Sequence, residues 1–331
     1  MDTDAQSYIL SEDELRAIFE RDIVPAELGG LPSDEGRSSR TPLAVLLVGQ
    51  TGAGKTRTAP AIKEAVARLR GASRLAHFVA DTYKTYHPSY RALLSARPAL
   101  ASPATGPSAR RWLAMAASVA ASRRADVLLE SAARRPADFA DLASLFRARG
   151  YRVEVAVLAV PAALSLLGIL TRFHEKLPEA GPAGGLPVRL TPRRVHDESY
   201  EGLLEAAAFV DEGDAVDQVV VVRRDNVVAY ANERVSGSWR RGPGVVEAVC
   251  AERKRPLTLS EKTGAQLSLR RLREMNVPGL ESQLEGIEEL LKPLLTNSEG
   301  SVYEPLKPLS LPSSTNDEQF DIETGLSLGI I

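Results

Sequence analysis

An unbroken apolar run, Leu43-Ala-Val-Leu-Leu-Val48, leads straight into Gly49-Gln-Thr-Gly-Ala-Gly-Lys-Thr56. Six apolar residues without alternation suit a strand buried on both faces, and so a parallel sheet covered by helices. Gly49, Gly52 and Gly54 let the backbone turn its N–H groups toward an anion without Cβ clashes. A helix starting near Lys55 adds the partial positive charge of its N-terminus. In this pattern the lysine, Lys55, reaches the β- and γ-phosphates of a nucleotide, and Thr56 offers its hydroxyl to Mg²⁺. Ala53 and Arg57 complete the nucleotide-contacting stretch. The loop does not disclose the phosphate's destination, which is water, a protein switch or another molecule.

The segments that follow alternate strand and helix. Residues 74–80, 126–131 and 151–161 read as strands, and residues 108–125, 137–150 and 162–177 read as helices. This order predicts an α/β fold, a P-loop NTPase three-layer sandwich with a parallel sheet. Residues 191–210 read as a further helix, and residues 218–231 as a strand pair turning at Asp225–Asn226. Ser11 and Glu14 form a capping box that opens an N-terminal helix within residues 8–29. A second box, Thr258 with Glu261, opens a helix over 258–275, and an amphipathic stretch follows. The expected organisation is an N-terminal helix and linker (1–41), a P-loop core (42–235), a helical extension (236–292) and a Pro/Ser/Thr-rich disordered or partner-binding tail (293–331).

Composition excludes several function classes. With 331 residues, 44% of them apolar, a large core can form. A formal charge of −2 argues against a general nucleic-acid or membrane-surface binder. The single cysteine, Cys250, rules out an intrachain disulfide framework and suits a reducing compartment; it is expected to be buried. The N-terminus has no secretory pattern, and no apolar run has membrane-spanning length, so a cytoplasmic location is expected. His87, His174 and His196 share no helical face and have no cysteine partners, so a metal site is not expected. His196–Asp197 reads as a pair on a helix surface.

Candidate chemistry lies beyond the loop. Asp81 closes the second strand, and the carboxyl ends of parallel strands face the ligand crevice. Phosphoryl transfer to a hydroxyl needs a carboxylate to orient it and take its proton. Asp81 suits that role, and equally suits a helix N-cap. Glu130 projects from the end of the third strand toward the same edge. Arg172, on the helix after strand four, and Arg189, after the Gly/Pro-rich loop at 178–187, are cations that can stabilise a transferring phosphoryl group. Arg193 and Arg194 read as a solvated face.

Taken together, "GQTGAGKT", "ADTYKTYHPSY", "VLLESAARRP", "VEVAVLAVP…LGILTRFHEKL" and "VRLTPRRVHD" resemble the zeta-toxin family of P-loop kinases, in order and in spacing, over roughly residues 10–235. The resemblance implies transfer of the ATP γ-phosphate to a sugar hydroxyl of UDP-N-acetylglucosamine, which in bacteria starves cell-wall synthesis. It also implies a small helical antitoxin partner that blocks the nucleotide site. It makes Lys55 and Thr56 ligands of ATP and Mg²⁺, Asp81 the base, Glu130 the acceptor-sugar contact, and Arg172 with Arg189 the γ-phosphate pair. The family's frequent Thr two residues after the glutamate is Ala132 here. Other acceptors (a nucleotide, a dinucleotide or an antibiotic), an NTP-hydrolysing switch and an inactive scaffold are the alternatives.

Overall fold

The structure, a computed structural model, describes residues 3–31, 40–70, 75–176 and 190–295. In chain order its helices and strands are α1 (Thr3–Gln6), α2 (Glu12–Ile18), β1 (Leu43–Val48), α3 (Lys55–Arg70), β2 (Ala76–Val79), α4 (Tyr90–Ala96), α5 (Pro98–Ser122), β3 (Val127–Ser131), α6 (Pro136–Ala148), β4 (Arg152–Leu158), α7 (Ala162–Lys176), α8 (Arg193–Glu212), β5 (Gln218–Val222), β6 (Val228–Val235), β7 (Ser238–Trp239), α9 (Val245–Lys254), α10 (Leu259–Glu274) and α11 (Leu280–Leu291). The described strands form one sheet in the order β2-β3-β1-β4-β5-β6-β7. β1 to β5 are parallel, and β6 and β7 extend the sheet antiparallel.

Alternation along each strand divides the core in two. Ala44, Leu46 and Val48 of β1 pack with Val153, Val155 and Val157 of β4 under the N-terminal segment, α5, α6, α8 and α9. Leu43, Val45 and Leu47 face the other way, with Ala156, Leu158 and Val220, under α3, α7, α10 and α11. Both faces are therefore covered, as the all-apolar β1 requires. The helices after β7 belong to both layers: α9 lies on one face and α10 with α11 on the other.

Both expected capping boxes form. Glu14 accepts from the Ser11 N–H at 2.8 Å, and Glu261 accepts from the Thr258 N–H at 2.9 Å. The N-terminal helix is not uniform, however. After Ile18 the chain widens into a π-helical segment, Phe19–Leu28, that contains Pro25. Proline has no N–H to continue the regular ladder, and a wider turn accommodates that loss. α5 begins ten residues earlier than its apolar periodicity suggests and carries Pro103 and Pro107 inside it. Its alanine-rich face, with Trp112 fully buried, packs so closely that burial outweighs the proline penalty. α4 is not legible as a helix in the sequence, and α9 is so only as part of the helical extension expected over 236–292. Residues 32–39, the loop at 178–187, Arg189 and the tail from 296 onward lie outside the described residues.

Candidate phosphate-transfer site

The loop after β1 has the backbone its glycines foretell. Gly52 and Gly54 have φ of +82° and +108°, values that disfavour any L side chain. A Cβ on Gly52 would also lie 2.0 Å from the Ser165 carbonyl oxygen. The loop therefore rests directly on the first turn of α7. Ala53 is buried, while Thr56 and Arg57, in the first turn of α3, are exposed.

Lys55 folds back over the loop, its ammonium donating to the Gly49 carbonyl at 2.7 Å. Desolvation pulls its pKa down to about 8, opposed by the negative charges of Asp81 and Glu130 and reinforced by the positive charge of Arg172. All four residues are candidates on sequence grounds, and the fold places their charges within electrostatic reach of one ammonium. The register explains why. Glu130 pairs with Leu47 on one side and Val79 on the other, so it lies two residues before the loop glycine and level with the end of β2. Asp81 follows two residues after Val79. Arg172 is on the exposed side of α7.

Asp81 occupies the N-cap position of the 3₁₀ turn Thr82–Tyr86 but makes no side-chain cap bond. Its carboxylate instead accepts from Lys84 Nζ at 2.5 Å and remains largely open to solvent. Lys84 also donates to Ser102 on α5 at 3.1 Å, which ties the carboxylate to the helix layer. Glu130 is buried and its Oε1 lies 2.8 Å from His77 Nε2. Sequence reasoning misses His77 and Lys84. Lys84 follows Asp81 by three residues, a spacing at which one turn brings side chains together; His77 becomes visible only through the β2–β3 register.

Arg193 and Arg194 form exposed i,i+4 pairs with Asp197 and Glu198, as a solvated face would. Two expectations are corrected. His196 is fully buried, not on a helix surface, because α8 turns it toward α7, where Nε2 lies 2.8 Å from Ser165 Oγ. Cys250 is half-buried, since only Val249 beside it faces the core of α9. Among the described residues, no group of three His, Cys, Asp or Glu side chains is arranged to hold a metal ion. Mg²⁺ carried by a triphosphate needs few protein oxygens, and the exposed Thr56 hydroxyl fits that role. A hollow between α10 and α11, lined by Gln266, Arg270, Arg273 and Glu288, shares no residue with this cluster. Among the described residues no helix is long and apolar enough to cross a membrane.

A parallel sheet with a glycine loop on its central strand, a lysine in that loop and carboxylates on the adjoining strand ends defines a P-loop kinase-like protein. The chain belongs to the Zeta toxin family, whose sequence profile it matches over residues 32–235. It is 28% identical over 194 residues to toxin PezT of Streptococcus pneumoniae, covering 59% of this chain and 73% of that one. It is 24% identical over 196 residues to toxin zeta of Enterococcus hirae, spanning 65% of that protein. A solved structure from the PezAT chromosomal toxin–antitoxin system of S. pneumoniae superposes with a TM-score of 0.62 at 22% identity, covering 81% of this chain and 97% of the other. At that identity the likeness establishes the fold.

Proposed function

We propose that this protein is an ATP-dependent kinase that phosphorylates a sugar hydroxyl of UDP-N-acetylglucosamine or a similar nucleotide sugar. The observation that carries the reading is the convergence on Lys55 of two carboxylates, Asp81 and Glu130, and one guanidinium, Arg172. A hydrolytic switch needs only the cradle. A kinase also needs carboxylates beside it to serve the acceptor, a role that Asp81 and Glu130 suit.

In the proposed reaction the loop N–H groups and Lys55 hold the β- and γ-phosphates. The Asp81 carboxylate, largely exposed to solvent, orients the acceptor hydroxyl and takes its proton. The acceptor oxygen bonds to the γ-phosphorus as the bond from phosphorus to the β–γ bridging oxygen breaks, and ADP leaves. Glu130, fixed by His77, hydrogen-bonds the acceptor sugar. Arg172 and Arg189 spread the charge of the transferring group, which is where positioned cations contribute most. Mg²⁺, held at Thr56 and the phosphates, would neutralise charge on the β- and γ-oxygens. The toxin names of the relatives, and the toxin–antitoxin system of the structural neighbour, support an antitoxin as protein partner.

ADP release from ATP and Mg²⁺, measured with and without UDP-N-acetylglucosamine, tests the reading. The sugar nucleotide is expected to raise ADP release several-fold and to yield a phosphorylated sugar by ³¹P NMR. Asp81→Asn is expected to lower kcat about a thousand-fold, within the range for general-base loss, and to leave ATP affinity within about twofold. No stimulation by the sugar nucleotide would move the acceptor to another nucleotide, a dinucleotide or an antibiotic. A fully active Asp81→Asn variant would sink the assignment of the base.

A further inference from the structure

Helix α9 lies outside the residues that match the family profile, yet it is joined to the glycine loop by a continuous, largely buried chain. Gln50, the second residue of the loop, is fully buried and donates through Nε2 to the Val160 carbonyl at 2.6 Å and to Ser165 Oγ at 3.4 Å. Ser165 Oγ lies 2.8 Å from His196 Nε2, and His196 Nδ1 lies 2.8 Å from Asp197 Oδ1. The carboxylate can only accept, so Nδ1 carries the ring proton and Nε2 accepts from Ser165. All the donors then point one way, from Gln50 to Ser165 to His196 to Asp197. Ser199, one turn from His196, adds a second tie, accepting from the Thr51 N–H at 3.1 Å.

The chain continues into α9. The His196 ring stacks on Tyr200 with centroids 5.7 Å apart. The Arg253 guanidinium covers the Tyr200 ring at 3.6 Å and donates to the Tyr200 carbonyl at 2.7 Å. Arg253 is buried, and among the described residues its Nε and Nη1 have no hydrogen-bond acceptor. A buried guanidinium with two unpaired donors is costly, and the ring face beneath it is its main compensation. Placed so, the cation holds Tyr200, and through it the ring of His196, in a single arrangement.

We propose that Arg253 is a positioning residue for nucleotide binding: through Tyr200, His196 and Ser165 it fixes Gln50 and Thr51, and hence the backbone of the phosphate loop. The proposal rests on the reading of the loop as an ATP site and concerns no acceptor. Ser165 is where the chain meets the loop, and its carbonyl abuts Gly52. Loosening α9 therefore loosens the surface that the loop rests on.

The test is binding of a non-hydrolysable ATP analogue with Mg²⁺, by calorimetry, at a temperature where circular dichroism shows each full-length variant folded. Arg253→Met and Ser165→Ala are each expected to weaken binding about tenfold. The double variant should be no weaker than the weaker single, because both cut one chain; independent sites would add. Arg253→Lys, which keeps a cation and a donor above the ring, should recover most of the affinity. Phe146→Leu, in the core against Tyr151 at the opposite end of β4, should lower Tm without changing affinity. Wild-type affinity in Arg253→Met, or strict additivity in the double variant, reduces α9 to a buttress and overturns the proposal. If Arg253→Met does not fold, Tyr200→Leu, which removes the ring between Arg253 and His196, takes its place in the cycle with Ser165→Ala under the same criterion. Failure of the wild type to bind the analogue would instead overturn the ATP reading, and this inference with it.

Discussion

The two edges of the site are braced in different ways. The proposed acceptor edge, the end of β2 with its Asp81, leans on the N-terminal segment through aromatic side chains. Tyr86 donates to Glu27 at 2.7 Å, His87 Nε2 lies 3.0 Å from the Tyr8 carbonyl, and Trp112 donates to the Leu15 carbonyl at 2.9 Å. The nucleotide edge leans on the C-terminal helices through buried charge. Arg223 at the end of β5 pairs with Glu252 on α9, Glu252 with Arg255, and Arg255 with Glu261 at the start of α10, all within 2.6–2.7 Å. The first brace is a set of separate hydrogen bonds, and breaking one leaves the others intact. In the second, charges share partners, and removing Glu252 strands Arg223 in a poorly solvated place. The acceptor edge should therefore tolerate substitution, and the nucleotide edge should not.

The largest test of this contrast is Glu252→Ala. It leaves Arg223 and Arg255 buried without their shared carboxylate and should cost about 3–5 kcal/mol of stability in urea denaturation. A loss under about 1 kcal/mol, the level of surface pairs, would erase the distinction.

Next is the pH dependence of ATP binding. The Lys55 pKa is depressed to about 8, so its charge is lost as pH rises through that value. ATP-analogue affinity should be flat below pH 8 and fall up to about tenfold per pH unit above it, with proton uptake on binding. The stability effect has the opposite sign. Lys55 penalises the folded, unliganded protein below pH 8, and the penalty is relieved as pH rises from there toward the ordinary lysine value.

Tyr86→Phe removes one hydrogen bond on the acceptor side. It should cost about 1 kcal/mol and leave ATP affinity unchanged. The smallest effect belongs to Arg111→Ala. Its pair with Glu12, at 2.6 Å, is largely exposed on both sides, so a thermal melt should not distinguish the variant from wild type.

Periodicity and punctuation make the sheet and its covering helices legible. β1 is apolar throughout, β4 is apolar from Val155 onward, and both capping boxes sit where Ser11 and Thr258 announce them. Helices whose stability is tertiary are less legible. α9 has four charged residues in ten and buries only Val245 and Val249 of its apolar side chains in the core. α5 carries two prolines that locally argue for a loop. Among candidate site residues, Lys55, Asp81, Glu130 and Arg172 are visible because they sit at strand ends or in motifs. Their supports are not, because His77, Lys84, Ser165 and Arg253 owe their positions to register and packing between segments far apart in the chain.

The contact of Gly52 with α7 has a further consequence. A Cβ on Gly52 would meet both the Ser165 carbonyl and the Ile169 side chain, so loop and helix lie against each other over more than one turn. Arg172 follows Ile169 by three residues on the same rigid rod. In the proposed reaction its charge does not have to be recruited from solution at each turnover. The backbone that carries it is set when the chain folds, so only the side chain adjusts as negative charge moves from one oxygen to the next.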